Sequence, residues 1–300
     1  MGTPEIAVPS LELLNQEFGV TAIITVPDKP KGRGLQLIPS AIKIRAIELG
    51  LPVLQPENLK DESFISELSS YNPDIIVVVA FRILPVAVYS LAKLGTFNIH
   101  ASLLPKYRGA APINWAIING EKETGMTSFL LQEKVDTGDI LLQRKIQIPD
   151  WYTAGDLHDA MMPIAAELCI ETCNLLLKGN YQTILQDNSL ATPAPKLFRE
   201  NCKIDWNKDA ETVKNFIHGT SPFPGAWTLL NGSSLKILQA KLSNNRKLPI
   251  GTYRIEADSF YAGCRDYAIE LIEIQPASKK VMQASEFSRG WRGATTGEFI

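Results

Sequence analysis

Histidine is scarce in this sequence: three in 300 residues, at His100, His158 and His218. Imidazole chemistry therefore has only three places to reside. Cysteines number four, Cys169, Cys173, Cys202 and Cys264. Their spacing fits neither a zinc site nor a disulfide framework, so they read as reduced thiols in a chain that needs no metal. No apolar run reaches the length of a membrane span and no signal peptide opens the chain, which points to a cytoplasmic protein with no membrane partner. No Gly-Lys-Ser/Thr follows the glycines near Lys31, which excludes a phosphate-cradling nucleotide loop there. Internal repeats and low-complexity tracts are missing too. Neither charge sign dominates, the net charge being -2. Its distribution is uneven: residues 1–194 carry 15 Lys and Arg against 21 Asp and Glu, and residues 195–300 carry 15 against 11. A basic C-terminal part on an acidic protein suits a polyanionic partner.

What is present reads as two domains. Strand-like and helix-like segments alternate in the first half. Val20–Val26 is a β-branched run, residues 39–49 have helical periodicity, residues 61–70 read as a helix, and Asp74–Phe81 is apolar on both faces, as in the middle of a parallel sheet. Thr96–His100 is the next strand. This is the pattern of βαβ units in a doubly wound, mostly parallel sheet. Gly2-Thr3-Pro4 looks like the turn that follows a first strand, yet no strand precedes it, so Met1 is expected to be an internal residue of a longer protein. Two strands joined across Asp136-Thr137-Gly138-Asp139 come later, then a long helix over about residues 155–178. The expected domains are 1–185, a linker at 186–200 rich in Pro, Ser, Thr and Asn, and a small β-rich domain at 201–300.

The richest stretch is Phe97–Pro112, FNIHASLLPKYRGAAP. Asn98 and His100 stand two apart on a strand and so share a face. They lie at its C-terminal end, where open α/β sheets place ligands. Position alone leaves a structural histidine the more frequent outcome. Asp136, in a turn, taken alone is more often a turn residue than a catalyst.

Together these residues resemble the signature of the folate-dependent formyltransferases: Asn98 and His100, then Ser102-Leu103-Leu104-Pro105, then VDTGDIL around Asp136. The resemblance implies a Rossmann-like catalytic domain, 10-formyltetrahydrofolate as formyl donor, and no metal. It further implies that Asn98 and His100 donate hydrogen bonds to an oxyanion. Asp136 would orient His100 and help remove a proton from the attacking amine. Ser102, Leu103, Leu104 and Pro105, with Phe81, Arg82, Ile83 and Leu84, would wall the folate pocket. Many relatives carry glycine where this chain has Arg82.

Family members differ in their acceptor amine. GTPEIAVPSL at Gly2–Leu11 and PDKPKGRGLQLIPS at Pro27–Ser40 resemble the branch that formylates initiator methionyl-tRNA. Lys29, Lys31 and Arg33 of that inserted basic loop would contact tRNA, although an isolated charge run is more often a solvated loop. HGTSPFPGAWT at His218–Thr228 resembles the start of that branch's OB-like C-terminal barrel. The branch is expected to be monomeric. The alternative acceptor is an amino-sugar nucleotide.

Overall fold

The computed structural model describes residues 1–31, 36–243 and 246–299. It divides into two compact units. One holds Met1–Pro112, Thr124–Ile146 and His158–Ala194; the other holds Ile113–Glu123, Gln147–Leu157 and Pro195–Ile300. The stretch expected to be a linker is shared between them, with its residues up to Ala194 in the first unit.

To residue 178 the elements run α1 (Ala7–Phe18), β1 (Ile23–Ile24), β2 (Lys29–Lys31), β3 (Gln36–Ile38), α2 (Ala41–Glu48), β4 (Val53–Leu54), α3 (Glu62–Ser70), β5 (Ile75–Val79), α4 (Val86–Tyr89), β6 (Gly95–His100), α5 (Pro112–Ile118), β7 (Glu123–Leu130), β8 (Ile140–Gln147) and α6 (Ala154–Lys178). In the first unit β1 and β4 pair in parallel, β5 and β6 pair in parallel, and β7 joins β6 antiparallel, giving the order β5-β6-β7-β8. This is a mixed, Rossmann-like α/β architecture. Ile24, Leu54, Phe64, Leu68, Ile76, Val78 and Val88 form its packed core. Ser40 starts α2 by accepting the Lys43 N–H, an ordinary N-cap for a helix of this composition.

Gly2 sits between β1 and β5. Its N–H donates to the Ile24 carbonyl at 3.1 Å, and it forms a parallel bridge with Val79. Only glycine fits there, because a Cβ would lie 2.8 Å from the Ala7 Cβ and 2.9 Å from the Val79 carbonyl oxygen. Of the Val20–Val26 run, Ile23–Ile24 alone is ladder-paired, to β4.

The sequence led us to expect no run of membrane-spanning length. Within the 25-residue α6 one 18-residue window reaches a mean hydropathy of 1.4, which meets a criterion of length and composition alone. Met161, Ala165, Leu168, Cys169, Thr172, Cys173 and Leu176 are buried along it at three- and four-residue spacing. That single stripe is the pattern of a core helix. Burial pushes the Cys169 and Cys173 thiols up to about 12, so neither is a ready nucleophile.

In the second unit α7 (Ala210–Thr220) is capped by Asp209, whose carboxylate accepts the Thr212 N–H at 2.8 Å. Then come β9 (Ala226–Leu230), β10 (Ser233–Leu242), β11 (Thr252–Ile255), β12 (Phe260–Gly263), β13 (Ala268–Pro276), β14 (Met282–Gln283), α8 (Ala284–Gly290) and β15 (Thr296–Glu298). These strands form an antiparallel sheet ordered β15-β11-β12-β13-β10-β9, with β14 on β13. The sheet curls until Leu230 at one end bridges Phe299 beyond the other, the half-barrel expected of an OB-like domain. Ile217, Ile237, Tyr253, Phe260 and Ile269 fill it.

Candidate active site

β6 is held on both edges, with Asn98 opposite Val78 on one side and Phe129 on the other. It therefore presents its last residues from a fixed frame. His100 is 6% exposed, and its ring stands edge-on to Phe129 at 6.5 Å. Its Nε2 is 2.8 Å from the Tyr107 carbonyl oxygen. A carbonyl can only accept, so Nε2 is the donor in this contact. Nδ1 faces Asp136, with Oδ2 at 3.7 Å. That separation is too long for a direct hydrogen bond and admits a bridging polar group. Among the described residues the Asn98 side chain has no hydrogen-bond partner and is half-exposed, on the same strand face as His100.

Asp136 is fixed from three directions. Its carboxylate accepts the Gly109 N–H at 2.9 Å. Its backbone lies in the left-handed region, at φ 55°. Gln186 donates through Nε2 to the Asp136 carbonyl at 3.0 Å and to the Gly138 carbonyl at 2.7 Å. Gln186 is held in turn by Arg108, whose Nε and Nη2 donate to its Oε1 at 3.0 and 2.7 Å. Arg108 also reaches Asn188 at 2.9 Å. The sequence reading missed Arg108, Gln186 and Tyr107. RG in KYRGAAP was the only local hint, and Gln186 lay in a stretch that read as a linker.

The Ser102–Pro105 segment is built around Thr127. The Thr127 hydroxyl donates to the Ser102 carbonyl at 2.6 Å and accepts the Leu104 N–H at 3.1 Å. Gln143 adds bonds to Thr127 Oγ1 and the Leu104 carbonyl. Ser102 and Leu104 are buried, and the Ser102 hydroxyl is spent on the Lys106 carbonyl. Leu104, Phe129 and Ile140 form an apolar cluster. Leu103 and Pro105 are the half-exposed members of the segment.

After β5 the chain turns at Ala80, whose φ is 49°. Leu84 is buried and Ile83 projects outward, 74% exposed. Arg82 folds across the Pro56-Glu57 segment, donating to the carbonyls of Pro56 at 2.8 Å and Glu57 at 3.0 Å. Its guanidinium lies 5.2 Å from the Phe81 ring centroid, and burial holds its pKa below the usual range. Arg82 thus ties two loops together.

The basic segment near residue 30 is a hairpin: β2 and β3 pair antiparallel with Lys29 opposite Ile38. Lys29 is exposed, Lys31 lies on β2, and Arg33 falls outside the described residues. The hairpin's base is anchored where Lys43 Nζ meets Asp28 and Gln55, both at 2.7 Å. Hydrogen bonds from Lys43 and Gln55 hold the Asp28 carboxyl below its usual pKa. His218, in the second unit, is structural: it is buried, its Nε2 is 2.9 Å from the Ala240 carbonyl, and burial lowers its pKa.

A family model described as formyl transferase matches residues 2–172, and one described as formyl transferase, C-terminal domain, matches residues 196–292. The chain belongs to the formyltransferase family. The two matches reach into both units. The chain is 45% identical to the methionyl-tRNA formyltransferase of Parabacteroides distasonis, over 97% of this chain and 94% of that one. The figures for the methionyl-tRNA formyltransferase of Chlorobium phaeovibrioides are the same: 45%, 97% and 94%. Among solved structures, an N-formyltransferase from Helicobacter canadensis in complex with folinic acid and dTDP-3-aminofucose superposes with a TM-score of 0.64 at 22% identity, over 90% of this chain and 96% of that one. HypX from Aquifex aeolicus in complex with tetrahydrofolic acid gives 0.62 at 20% identity, over 80% and 43%. At those identities the likeness is one of fold.

Proposed function

We propose that the protein transfers the formyl group of 10-formyltetrahydrofolate to the free amino group of initiator methionyl-tRNA, in support of translation initiation. The observation that carries this reading is the 45% identity to methionyl-tRNA formyltransferases along nearly the whole chain. The sugar-directed alternative rests on structures of 20–22% identity, which speak for fold alone. The reading includes a monomer working in the cytoplasm.

The donor, when bound, supplies the carbonyl carbon that the amine attacks. What the chain does follows from its own geometry. The unspent Asn98 amide donates to the oxygen that becomes negative in the tetrahedral intermediate, and such donors are usually the largest single contribution to acyl transfer. The lone pair on His100 Nδ1 accepts the proton the amine must lose. The imidazolium so formed sits opposite the Asp136 carboxylate, which stabilises it, and donates to the same oxyanion. The Tyr107 carbonyl keeps the ring from flipping. Phe81–Leu84 and Ser102–Pro105 flank the pterin in this reading, and Arg82 keeps the first of these segments in place. Arg82→Ala is expected to raise the donor KM several-fold with little change in kcat; steady-state kinetics at saturating tRNA checks it.

Lys29, Lys31 and Arg33 grip the acceptor stem through phosphates and base edges. Arg33→Glu is expected to weaken tRNA use about tenfold or more and leave donor affinity unchanged. The wild-type protein's tRNA binding should fall steeply with salt. A loss of donor affinity in the variant would remove this loop from the tRNA interface. The decisive assay is formyl transfer to Met-charged initiator tRNA, with amino-sugar nucleotides in parallel. Transfer to a sugar and none to tRNA would overturn the acceptor.

A further inference from the structure

Three consecutive residues touch both His100 and the loop that carries Asp136. The Tyr107 carbonyl accepts from His100 Nε2, and the Gly109 N–H donates to Asp136 Oδ2, the same oxygen that faces His100 Nδ1. Arg108, between them, reaches the Asp136 loop through Gln186. The tripeptide has little freedom of its own. Tyr107 sits at φ 60°, a conformation that a bulky side chain keeps only where its surroundings impose it. Here the 186–194 segment imposes it. The Tyr107 N–H donates to Thr192 Oγ1 at 2.9 Å, the Arg108 N–H to the Thr192 carbonyl at 2.8 Å, and the Ala194 N–H to the Arg108 carbonyl at 2.7 Å.

The Gln186 amide is the joint of this arrangement. An amide oxygen has two lone pairs and an amide nitrogen two hydrogens. The oxygen accepts from Nε and Nη2 of Arg108, and the nitrogen donates to the carbonyls of Asp136 and Gly138. Turned end for end, the amide would set its NH2 group against the guanidinium and its oxygen against two carbonyls. All four contacts would become repulsive. A guanidinium can only donate, so it decides which end of the amide faces the Asp136 loop. Arg108 is itself held by Asn188, whose Oδ1 accepts from Nη1 at 2.9 Å.

We propose that Arg108 is a positioning residue for formyl transfer: by orienting the Gln186 amide it keeps the Asp136 carboxylate in place opposite His100. This rests on the reading of the reaction given above. Arg108 touches neither donor nor acceptor, and its effect on the rate passes through Asp136. A misplacement of about 1 Å costs on the order of a hundredfold in rate, so the effect belongs in kcat.

Gln186→Glu and Arg108→Ala break the relay at different points. Glutamate still accepts both N–H groups of Arg108, now as an ion pair, but has no N–H for the two carbonyls. Alanine at position 108 leaves the amide free to turn over. In the full-length protein each is expected to lower kcat by roughly tenfold to a hundredfold, with KM for the donor and for Met-charged initiator tRNA within about threefold of the parent. In an Asp136→Asn background the Arg108→Ala loss should shrink to less than about threefold, because the two residues act as a unit. A second readout needs no substrate. The chain has three histidines, and proton NMR separates their ring signals. Both variants should displace the His100 signals and leave those of His158 and His218 in place. If Arg108→Ala does not fold, Gln186→Glu decides, since its ion pair keeps Arg108 anchored. The proposal is overturned by a raised KM for tRNA at unchanged kcat, which would make Arg108 an acceptor contact. Losses that multiply with Asp136→Asn, or His100 signals that stay at their parental positions, would overturn it too. A parent protein that formylates no tRNA would sink the reading of the reaction, and the His100 signals alone would still decide whether Arg108 positions the site.

Discussion

Asn98→Ala is expected to lower kcat by roughly a hundredfold to a thousandfold, the range for removing one oxyanion donor, and to leave Tm within a degree or two of the parent. The two halves of that expectation have separate structural reasons. The activity falls because the amide is aimed from the end of a strand braced on both edges, so nothing else can move in to replace it. The stability holds because, among the described residues, the amide makes no hydrogen bond that the substitution would break. His100→Ala is a less discriminating test: it also removes the buried hydrogen bond from Nε2 to the Tyr107 carbonyl, a loss of about 1–3 kcal/mol. Asp136→Asn is the better companion. Asparagine tolerates the φ of 55° and its oxygen still accepts the Gly109 N–H, so the turn survives. The variant loses only the charge facing His100, and kcat should fall by roughly a hundredfold or more. If Asn98→Ala or Asp136→Asn kept more than a tenth of parental kcat, the chemistry would have to be placed elsewhere.

The second large effect is on the loop that carries Asp136. A Cβ built on Gly138 would fall within bonding distance of the Leu130 carbonyl oxygen, and 3.1 Å from the Phe129 ring. Backbone on both sides must then move. The Leu130 N–H bond to the Asp139 carbonyl and the Gln186 bond to the Gly138 carbonyl are the contacts nearest the displacement. Gly138→Ala is expected to cost about 2–4 kcal/mol, read as a Tm lowered by roughly 6 °C or more. Below that Tm it should also lose most of its activity, because the carboxylate two residues earlier moves with the loop. Gly290→Ala is the control: nothing lies within 4 Å of its Cβ, and Tm should hardly change. Thermal melts of the two, followed by rates at a temperature where both are folded, check both parts. Equal Tm values would show that the loop gives way more easily than its contacts suggest.

The sequence revealed the parts of this architecture whose signal is local. Asn98 and His100 were readable because two-residue spacing at a strand's end is itself a geometric statement. α6 was readable from its apolar stripe, and β5 from five consecutive apolar residues. What stayed hidden depends on distant pairing. Arg108 and Gln186 are 78 residues apart, and neither has a pattern that names the other. Thr127 looked like any β-branched strand residue, although it hydrogen-bonds the turn that follows His100. Val20–Val26 reads as one seven-residue strand, but only Ile23 and Ile24 are ladder-paired, because pairing depends on which neighbour lies alongside and not on composition. Lys29 and Lys31 read as a loop because the sequence that follows them, Gly32-Arg33-Gly34, has the composition of a turn, while their antiparallel partner is Gln36–Ile38.

The Gln186 contacts bear on how this chain can be cut. Anyone producing the catalytic half alone would be drawn to the Pro-, Ser- and Asn-rich stretch as the place for the scissors, and a stop after Leu185 would look harmless. It would discard the side chain that holds the carbonyls of Asp136 and Gly138. It would also discard Thr192 and Ala194, which pin the backbone of Tyr107, Arg108 and Ala111. Such a fragment would keep every residue of the proposed reactive trio and lose the clamp that positions two of them, whereas a stop after Ala194 would keep both.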